Sequence, residues 1–240
     1  MGLVILPALI PDIKKVYEIY FSAFHNEEMG HIMLDIMFPN GISDEFKEEH
    51  AKGTLSYWHS SPVQYTYKAV DTDIDEIVGM ALIDILIKGR TEEERKYQGV
   101  TWLEGEQKDR AEKVLYPLWE VREKLLGGQP HIYGHVAAVT PKHQGRKIGA
   151  AMMLFGIDLC EKLGLPIYFE SSPSTVGLYE KMGFERLKET VVHKAELMRT
   201  DNDISVPLMV RMPSCAGGMS FYDWAAKGYP RLSASTASKM

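Results

Sequence analysis

The residues with the clearest chemical meaning lie where a strand-like run passes into a helix-like run. Little side-chain bulk surrounds this helix start, since four small residues lie there: Gly145, Gly149, Ala150 and Ala151. A helix N-terminus offers unpaired N–H groups and a partial positive charge, so it attracts a phosphate-like anion, and small residues let the anion reach the backbone. Basic side chains add positive charge at the same opening: Lys142, Arg146 and Lys147. The spacing indicates an anion site, although a tight strand-to-helix turn without a ligand would use the same glycines.

Two familiar phosphate-binding patterns are absent from this segment. The nucleoside-triphosphate pattern GxxxxGK[ST] does not occur, and the dinucleotide pattern GxGxxG is not met. The anion site therefore belongs to another class of protein.

The elements that must position these residues alternate between strands and helices in the C-terminal half. Hydrophobic periodicity predicts a strand over 131–140, a loop over 141–145 and a helix over 147–163. Further strands are predicted over 165–170, 184–192 and 205–212, with a short helix over 174–182.

The N-terminal half has a comparable but weaker pattern. A strand is predicted over 3–9, followed by a helix for which Asp12 is the expected N-cap, and Ser43 is expected to start the next helix. The stretch from His25 to Gly41 is rich in Met and Phe without a clean period. Strand-like runs over 64–70 and 76–86 are separated by a short polar segment, which favours an antiparallel hairpin.

The domain organisation follows from these runs. Residues 1–212 are predicted to form a single domain, with a charged insertion at about 84–128 that has too few apolar residues for a core of its own. Residues 213–240 are expected to be an extension that ends in a flexible polar tail, SASTASKM.

Composition narrows the class of protein. The chain has 240 residues, of which 45% are hydrophobic and 25% charged, with a formal net charge of −6, which argues against nucleic acid as a partner. No apolar run approaches the roughly 20 residues that span a bilayer, so no membrane partner is expected. The two cysteines are expected to be reduced thiols in a cytoplasmic protein, which would be a monomer or a homodimer.

Two motifs together resemble one family. The run Gln144–Gly149 resembles the Q/R-x-x-G-x-G/A signature of GNAT-type N-acetyltransferases, with Lys147 at the place of the signature's first glycine. About thirty residues later, Leu178–Phe184 (LYEKMGF) resembles the second hallmark of that family. The resemblance implies an α/β fold (α+β) with a mixed, mostly antiparallel, twisted sheet of about seven strands, flanked by helices and splayed at the cofactor cleft.

The resemblance also implies acetyl-CoA as cofactor and no metal. On this view the backbone of Ala137, Ala138 and Val139 would pair with the pantetheine arm, and Ser172 would face the cofactor where many members have asparagine. The pyrophosphate would be held by the N–H groups of one loop: Gln144, Gly145, Arg146, Lys147, Ile148, Gly149 and Ala150. We expect Lys147 to have helical dihedrals in the first turn of the helix and to offer its N–H in the same way.

Amine acetylation also needs proton transfers. Tyr179 matches the family tyrosine near the CoA sulfur, and its phenol is protonated at neutral pH, so it is the candidate acid. Candidate bases are His135, which shares a strand face with Val139 and lies in a strand where arylalkylamine-type members carry histidine, and Glu170 at the end of the next strand. An ordered-water relay or a residue from 25–60 is the alternative.

The sequence therefore predicts an acyltransferase that acetylates a primary amine, of a small molecule in the first place. A protein lysine or N-terminus is the second possible acceptor, and a non-catalytic acyl-CoA-binding module is the third hypothesis. The residues that would select the acceptor follow no recognisable pattern.

Overall fold

A computed structural model describes residues 2–232. The strands of this part are β1 Leu3–Pro7, β2 Gln64–Asp71, β3 Glu76–Leu86, β4 His131–Val139, β5 Ile167–Glu170, β6 Glu185–His193 and β7 Ile204–Arg211. The helices are α1 Ile13–His25, α2 Glu28–Met37, α3 Asp44–Ser60, α4 Glu92–Arg95, α5 Gly105–Leu126, α6 Ile148–Leu163, α7 Val176–Lys181, α8 Ala195–Met198 and α9 Phe221–Ala226. The predicted polar tail, 233–240, lies outside the described residues.

Seven strands form one mixed sheet within the described part of the chain, in the order β1-β2-β3-β4-β5-β7-β6. β4 and β5 pair in parallel, with Ile132 opposite Ile167 and Tyr133 opposite Tyr168. The pairs β1–β2, β2–β3, β5–β7 and β6–β7 are antiparallel. The predicted fold class and the predicted β2–β3 hairpin are confirmed.

The chain divides into two compact units. The first consists of residues 2–85 and Gly134–Gly156. Its core contains α1 side chains packed with β3 and β4, among them Val16, Phe21, Met80 and Ala138, each at most 5% exposed. At Gly79 an added Cβ would lie 3.1 Å from the Met152 side chain and 3.2 Å from Ile148, so this glycine lets the start of α6 pack closely against β3.

The second unit consists of Leu86–Tyr133 and residues 157–232. The predicted insertion supplies α4 and the 22-residue α5, whose Ala111 and Val114 are fully buried. The segment after β7 packs as well, because Phe221 and Trp224 of α9 are 1% and 3% exposed. Ser220 caps α9 in a capping box with Asp223.

Some local predictions held and others did not. Ser43 is the N-cap of α3, and its side chain accepts a hydrogen bond from Phe46 N–H. Asp12 stands at the N-cap position of α1, but its carboxylate accepts from Leu9 N–H and pairs with Lys68 instead of capping the helix. The stretch from His25 to Gly41, which showed no clean period, contains α2. Its Leu34 and Ile36 are buried at 3% and 2% exposure.

Candidate functional site

The segment between β4 and α6 holds the predicted anion site, and it lies wholly in the first unit. A 3₁₀ turn, Pro141–His143, follows β4, and the chain reaches α6 after four more residues. Ile148 is 1% exposed and anchors the helix start, whereas Gln144, Gly145 and Lys147 are exposed. Most of the loop before the helix is therefore exposed, while the first side chain of the helix is fixed in the core.

Lys147 does not have the helical dihedrals that we expected. Its φ is +63°, in the left-handed region, and α6 begins one residue later at Ile148. The Lys147 carbonyl accepts from Ala151 N–H at 3.0 Å, so Lys147 stands at the N-cap. The family signature has glycine at this position, and the structure gives the reason, since left-handed backbone suits glycine and costs a residue with a Cβ roughly 1–2 kcal/mol.

Two glycines, Gly145 and Gly149, keep side-chain bulk out of the loop and the helix start. Gly145 has a φ of +76°, and an added Cβ would meet nothing within 4 Å. At Gly149 an added Cβ would lie 3.8 Å from Val139 Cγ2, which is ordinary van der Waals contact. The conformation favours glycine at 145, whereas the protein's own packing does not require it at 149.

Arg146 holds the loop in place through a buried carboxylate. Its Nη2 donates to Asp71 Oδ2 at 2.6 Å, Nη1 donates to His143 Nδ1, and the Asp71 side chain is only 1% exposed. Burial by itself would raise the pKa of Asp71, but the bonds from Arg146 and from Asp73 N–H outweigh it and leave that pKa below its usual value. The Arg146 guanidinium thus has an internal partner.

Lys142 and Lys147 differ from Arg146 in how they are paired. Lys142 Nζ lies 3.0 Å from Glu76 Oε2, and both side chains are largely exposed. Lys147 makes no ion pair with any residue in the range 2–232. Of the three predicted basic residues, Lys147 offers the charge that is least neutralised within the protein.

β4 presents an alternating face beside this loop. Ala138 is 3% exposed, whereas His135 and Ala137 are exposed and Val139 is intermediate. The Val139 carbonyl accepts from Gln144 Nε2 at 3.3 Å. The proposed pairing of Ala137–Val139 with a pantetheine arm stays a prediction.

His135 is hydrogen-bonded to an aspartate that the sequence analysis missed. His135 Nε2 lies 2.8 Å from Asp84 Oδ2, and the His135 and Asp84 side chains are 33% and 17% exposed. A carboxylate can only accept, so Nε2 carries a proton and the neutral ring keeps its lone pair on Nδ1. The β2–β3 hairpin was predicted, but no sequence pattern linked Asp84 to His135 across 51 residues.

Tyr179 lies in the second unit, on α7. Its ring packs edge-on against Phe169 at 4.6 Å and against Phe184 at 5.8 Å between centroids. Burial raises the pKa of Tyr179, and a hydrogen bond with Thr175 opposes that rise only in part. The phenol is protonated at neutral pH, as a proton donor must be.

The structure of the same unit explains why the second motif has a glycine at position 183. Gly183 follows α7 with a φ of +81°, and Arg211 fills the space where a Cβ would stand. Arg211 donates to the carbonyls of Met182 and Gly183 at 3.1 and 3.3 Å. The motif therefore fixes the end of α7 and, with it, the position of Tyr179 in this unit.

Ser172 and Glu170 also lie in the second unit. The Ser172 hydroxyl is engaged with Ser174 and Thr175 at 3.0 and 3.1 Å. Glu170 Oε2 accepts from Tyr133 Oη–H at 2.9 Å. Neither the cofactor contact predicted for Ser172 nor the base role predicted for Glu170 is tested by this geometry.

Comparison with known proteins identifies the family. The family model described as "Acetyltransferase (GNAT) family" matches residues 14–184. The chain belongs to the GNAT acetyltransferase family. It is therefore an acyltransferase, as both sequence motifs predicted.

Relatives agree with this assignment. A protein named probable acyltransferase SID5, from Ajellomyces capsulatus, is 36% identical over 142 residues, which cover 59% of this chain and 98% of that protein. An agmatine N-acetyltransferase structure (mutant S171A, apo form) superimposes with a TM-score of 0.63 at 14% identity, covering 88% of this chain and 100% of that one. A mosquito arylalkylamine N-acetyltransferase, like 5b, gives 0.59 at 17% identity, covering 88% and 100%. At these identities the structures establish the GNAT fold.

Two further observations concern a buried cysteine and the apolar length of the helices. Burial raises the pKa of the Cys160 thiol to about 12, so this cysteine is not a nucleophile at neutral pH. No helix between residues 2 and 232 is long and apolar enough to cross a membrane.

Proposed function

We propose that this GNAT acyltransferase moves an acetyl group from acetyl-CoA to a primary amine of a small molecule, which attacks the thioester directly. The observation that carries the proposal is the loop before α6, where Gln144, Gly145 and Lys147 are exposed and residues 145 and 147 are left-handed. Family members use acetyl-CoA, and a GNAT-superfamily phosphinothricin acetyltransferase from Sinorhizobium meliloti has been solved in complex with it (TM-score 0.53, 15% identity, covering 89% of each chain).

The residues of the loop fit the pyrophosphate of coenzyme A. The exposed segment leads into the N-terminus of a helix, whose N–H groups and dipole favour an anion. The residues that would hold it run from Gln144 to Ala150, and Lys147 adds a charge without an internal ion pair in the described chain. Bound acetyl-CoA supplies the activated acetyl group.

We assign the base role to His135, with Asp84 as its positioning residue. Asp84 fixes the ring through the 2.8 Å bond at Nε2, and the imidazole is the group that would take a proton from the amine. The same carboxylate stabilises the imidazolium formed in that step. Glu170 is the second candidate base, and its Oε2 accepts a hydrogen bond from the Tyr133 hydroxyl.

We assign the acid role to Tyr179, on the motif match and on the protonated state of its phenol. An acid is needed because the departing thiolate gains a proton. Cys160 has no part in the transfer, since its thiol stays protonated.

The proposal is tested by thiol release from acetyl-CoA with a panel of primary amines. Tyr179→Phe should lower kcat by about 10²-fold or more with a smaller effect on KM, since general acid catalysis contributes roughly 10²–10⁴-fold. Tyr116→Phe is the matched control, because Tyr116 is 41% exposed on α5. If acetyl-CoA binds but no amine stimulates thiol release, the proposal is wrong.

The base assignment has its own measurement, the kcat of two variants. His135→Gln should lower kcat by about 10²-fold or more with a smaller effect on KM, since general base catalysis contributes roughly 10²–10⁴-fold, and Asp84→Asn should lower kcat by less because the ring is kept but its carboxylate is lost. A wild-type kcat in His135→Gln would move the assignment to Glu170 or to water.

A further inference from the structure

One cluster of charged and aromatic side chains in the second unit has no assigned role, apart from Glu170 as the second candidate base. Its members are Arg122 of α5, Tyr133 of β4, and Tyr168 and Glu170 of β5, all of which belong to the second unit. The Arg122 guanidinium carbon lies 3.9 Å from the centroid of the Tyr133 ring. Tyr133 stacks near Tyr168, with centroids 6.2 Å apart and ring planes inclined by 24°.

Arg122 stands out because its guanidinium makes no hydrogen bond or ion pair with the residues that the structure describes. The adjacent Glu123 accepts from Arg95 at 2.5 Å and lies 3.6 Å from Arg90. Arg110, on the same helix, donates to the Leu197 carbonyl. Arg122 is partly buried, and guanidinium is the side-chain group best shaped for a carboxylate, which it binds through two parallel N–H donors.

Glu170 is the complementary half of the cluster. Its Oε2 is bonded to Tyr133, but its Oε1 is buried and has no hydrogen-bond partner among the described residues. The Tyr168 hydroxyl is also buried, and burial, followed by the nearby Glu170 carboxylate, raises the pKa of Tyr168. Buried polar atoms normally have partners, and a buried carboxylate oxygen without one is costly.

The cation and the anion of this cluster are therefore near one another without being paired. Glu170 contributes to the raised pKa of Arg122, which burial opposes, yet their nitrogen and oxygen atoms form no salt bridge within 4.0 Å. A group that carries both charges would satisfy both side chains at once, with its carboxylate on Arg122 and its N–H on Glu170.

We propose that Arg122 and Glu170 form a binding subsite for a zwitterionic acceptor, an amine that also carries a carboxylate, as in an amino acid. The inference rests on the proposed acetyltransferase function and narrows its acceptor. Arg122 is the residue that recognises the carboxylate, and Glu170 accepts a hydrogen bond from an acceptor nitrogen. The Tyr133 ring, which lies against the guanidinium, holds it in position.

The experiment compares amino acids with the amines left when the carboxylate is removed: lysine with cadaverine, arginine with agmatine, and phenylalanine with phenethylamine. Wild-type kcat/KM should favour the amino acid by about ten- to a hundredfold in at least one pair, as expected for a charge-assisted hydrogen bond. The corresponding amino acid amide should behave like the decarboxylated amine. In Arg122→Gln the ratio should fall to within about threefold, and Arg122→Lys should give an intermediate ratio.

Arg186→Gln is the matched control and should keep the wild-type ratio, because Arg186 is exposed on β6. Thermal melts of each variant show whether it is folded. An equal preference for both members of every pair would overturn the inference, as would an equal loss for both members in Arg122→Gln.

Failure of the inference and failure of the proposed function give different results. If wild type acetylates amines without regard to the carboxylate, only the subsite is wrong. If wild type acetylates none of these compounds, calorimetric titration with the same amino acids decides the subsite. Binding that is lost in Arg122→Gln and kept in Arg186→Gln supports it, and equal or absent binding in wild type and Arg122→Gln overturns it.

Discussion

The left-handed backbone at Lys147 leads to a quantitative prediction about stability. Its φ of +63° costs a residue with a Cβ roughly 1–2 kcal/mol, and glycine does not carry this cost. Glycine also has more freedom in the unfolded chain, which offsets the gain by about 0.5–1 kcal/mol. Because Lys147 makes no ion pair with a described residue, little else is lost. Lys147→Gly should therefore stabilise the folded protein by about 0.5–1 kcal/mol.

Thermal denaturation measures this effect directly. For a chain of this size, 1 kcal/mol shifts Tm by about 2–4 °C, so Lys147→Gly should melt about 1–4 °C above wild type. Lys147→Ala keeps a Cβ at the same φ and should show no such gain.

The matched control is Lys142, which lies in the 3₁₀ turn Pro141–His143 with no positive φ. There glycine should be less stable than alanine, which reverses the order expected at 147. If Lys147→Gly melts at or below Lys147→Ala, the backbone at 147 does not carry the strain that we ascribe to it.

Three further predictions concern other parts of the molecule. Gly183→Ala should lower stability by at least roughly 1–2 kcal/mol, because φ is +81° and Arg211 must move, and urea unfolding that matches wild type would contradict this. Burial lowers the pKa of His50 in the folded protein. The stability that neutral His50 contributes is therefore fully present above its pKa in the unfolded chain, about 6.5, and is lost as the pH falls through its pKa in the folded protein. Unfolding free energy should then drop by at most about 1.4 kcal/mol per pH unit below 6.5 in wild type, and His50→Phe should show a shallower slope; equal slopes would refute the assignment. Asp71→Asn removes the charged partner of Arg146 and should weaken coenzyme A binding and lower Tm, and calorimetry with unchanged affinity would show that the pair does not hold the loop.

Secondary structure could be predicted well where the backbone conformation or burial strongly restricts which residue type can occupy a position. The alternation in β4 and the apolar periodicity of α6 predicted both elements to within a residue or two. Gly183 could be assigned a place in a motif for the same reason, because its φ of +81° strongly favours glycine. No helix was assigned to the run from His25 to Gly41 because its apolar residues show no clean period, and the face that holds Leu34 is buried only by packing against α1.

The charged groups of the site were harder to predict than the loop that they surround. Asp71 and Asp84 read as ordinary polar residues of a hairpin, yet one holds Arg146 and the other holds His135. Both pairs join residues more than 50 positions apart, so no local spacing encodes them. The expected helical dihedrals of Lys147 were wrong because a single side chain does not reveal that its backbone must turn left-handed before the helix.

What the sequence by itself determined is the family, the order of strands and helices, and the helix start that suits an anion, because these depend on short-range backbone preferences and on two local motifs. The tertiary structure decided which charges are already paired within the protein and which are not. Arg146 and Lys142 form ion pairs, whereas Arg122 and Lys147 form none with residues 2–232. That distinction depends on distances across the sheet and on burial, and both exist only once the chain has folded.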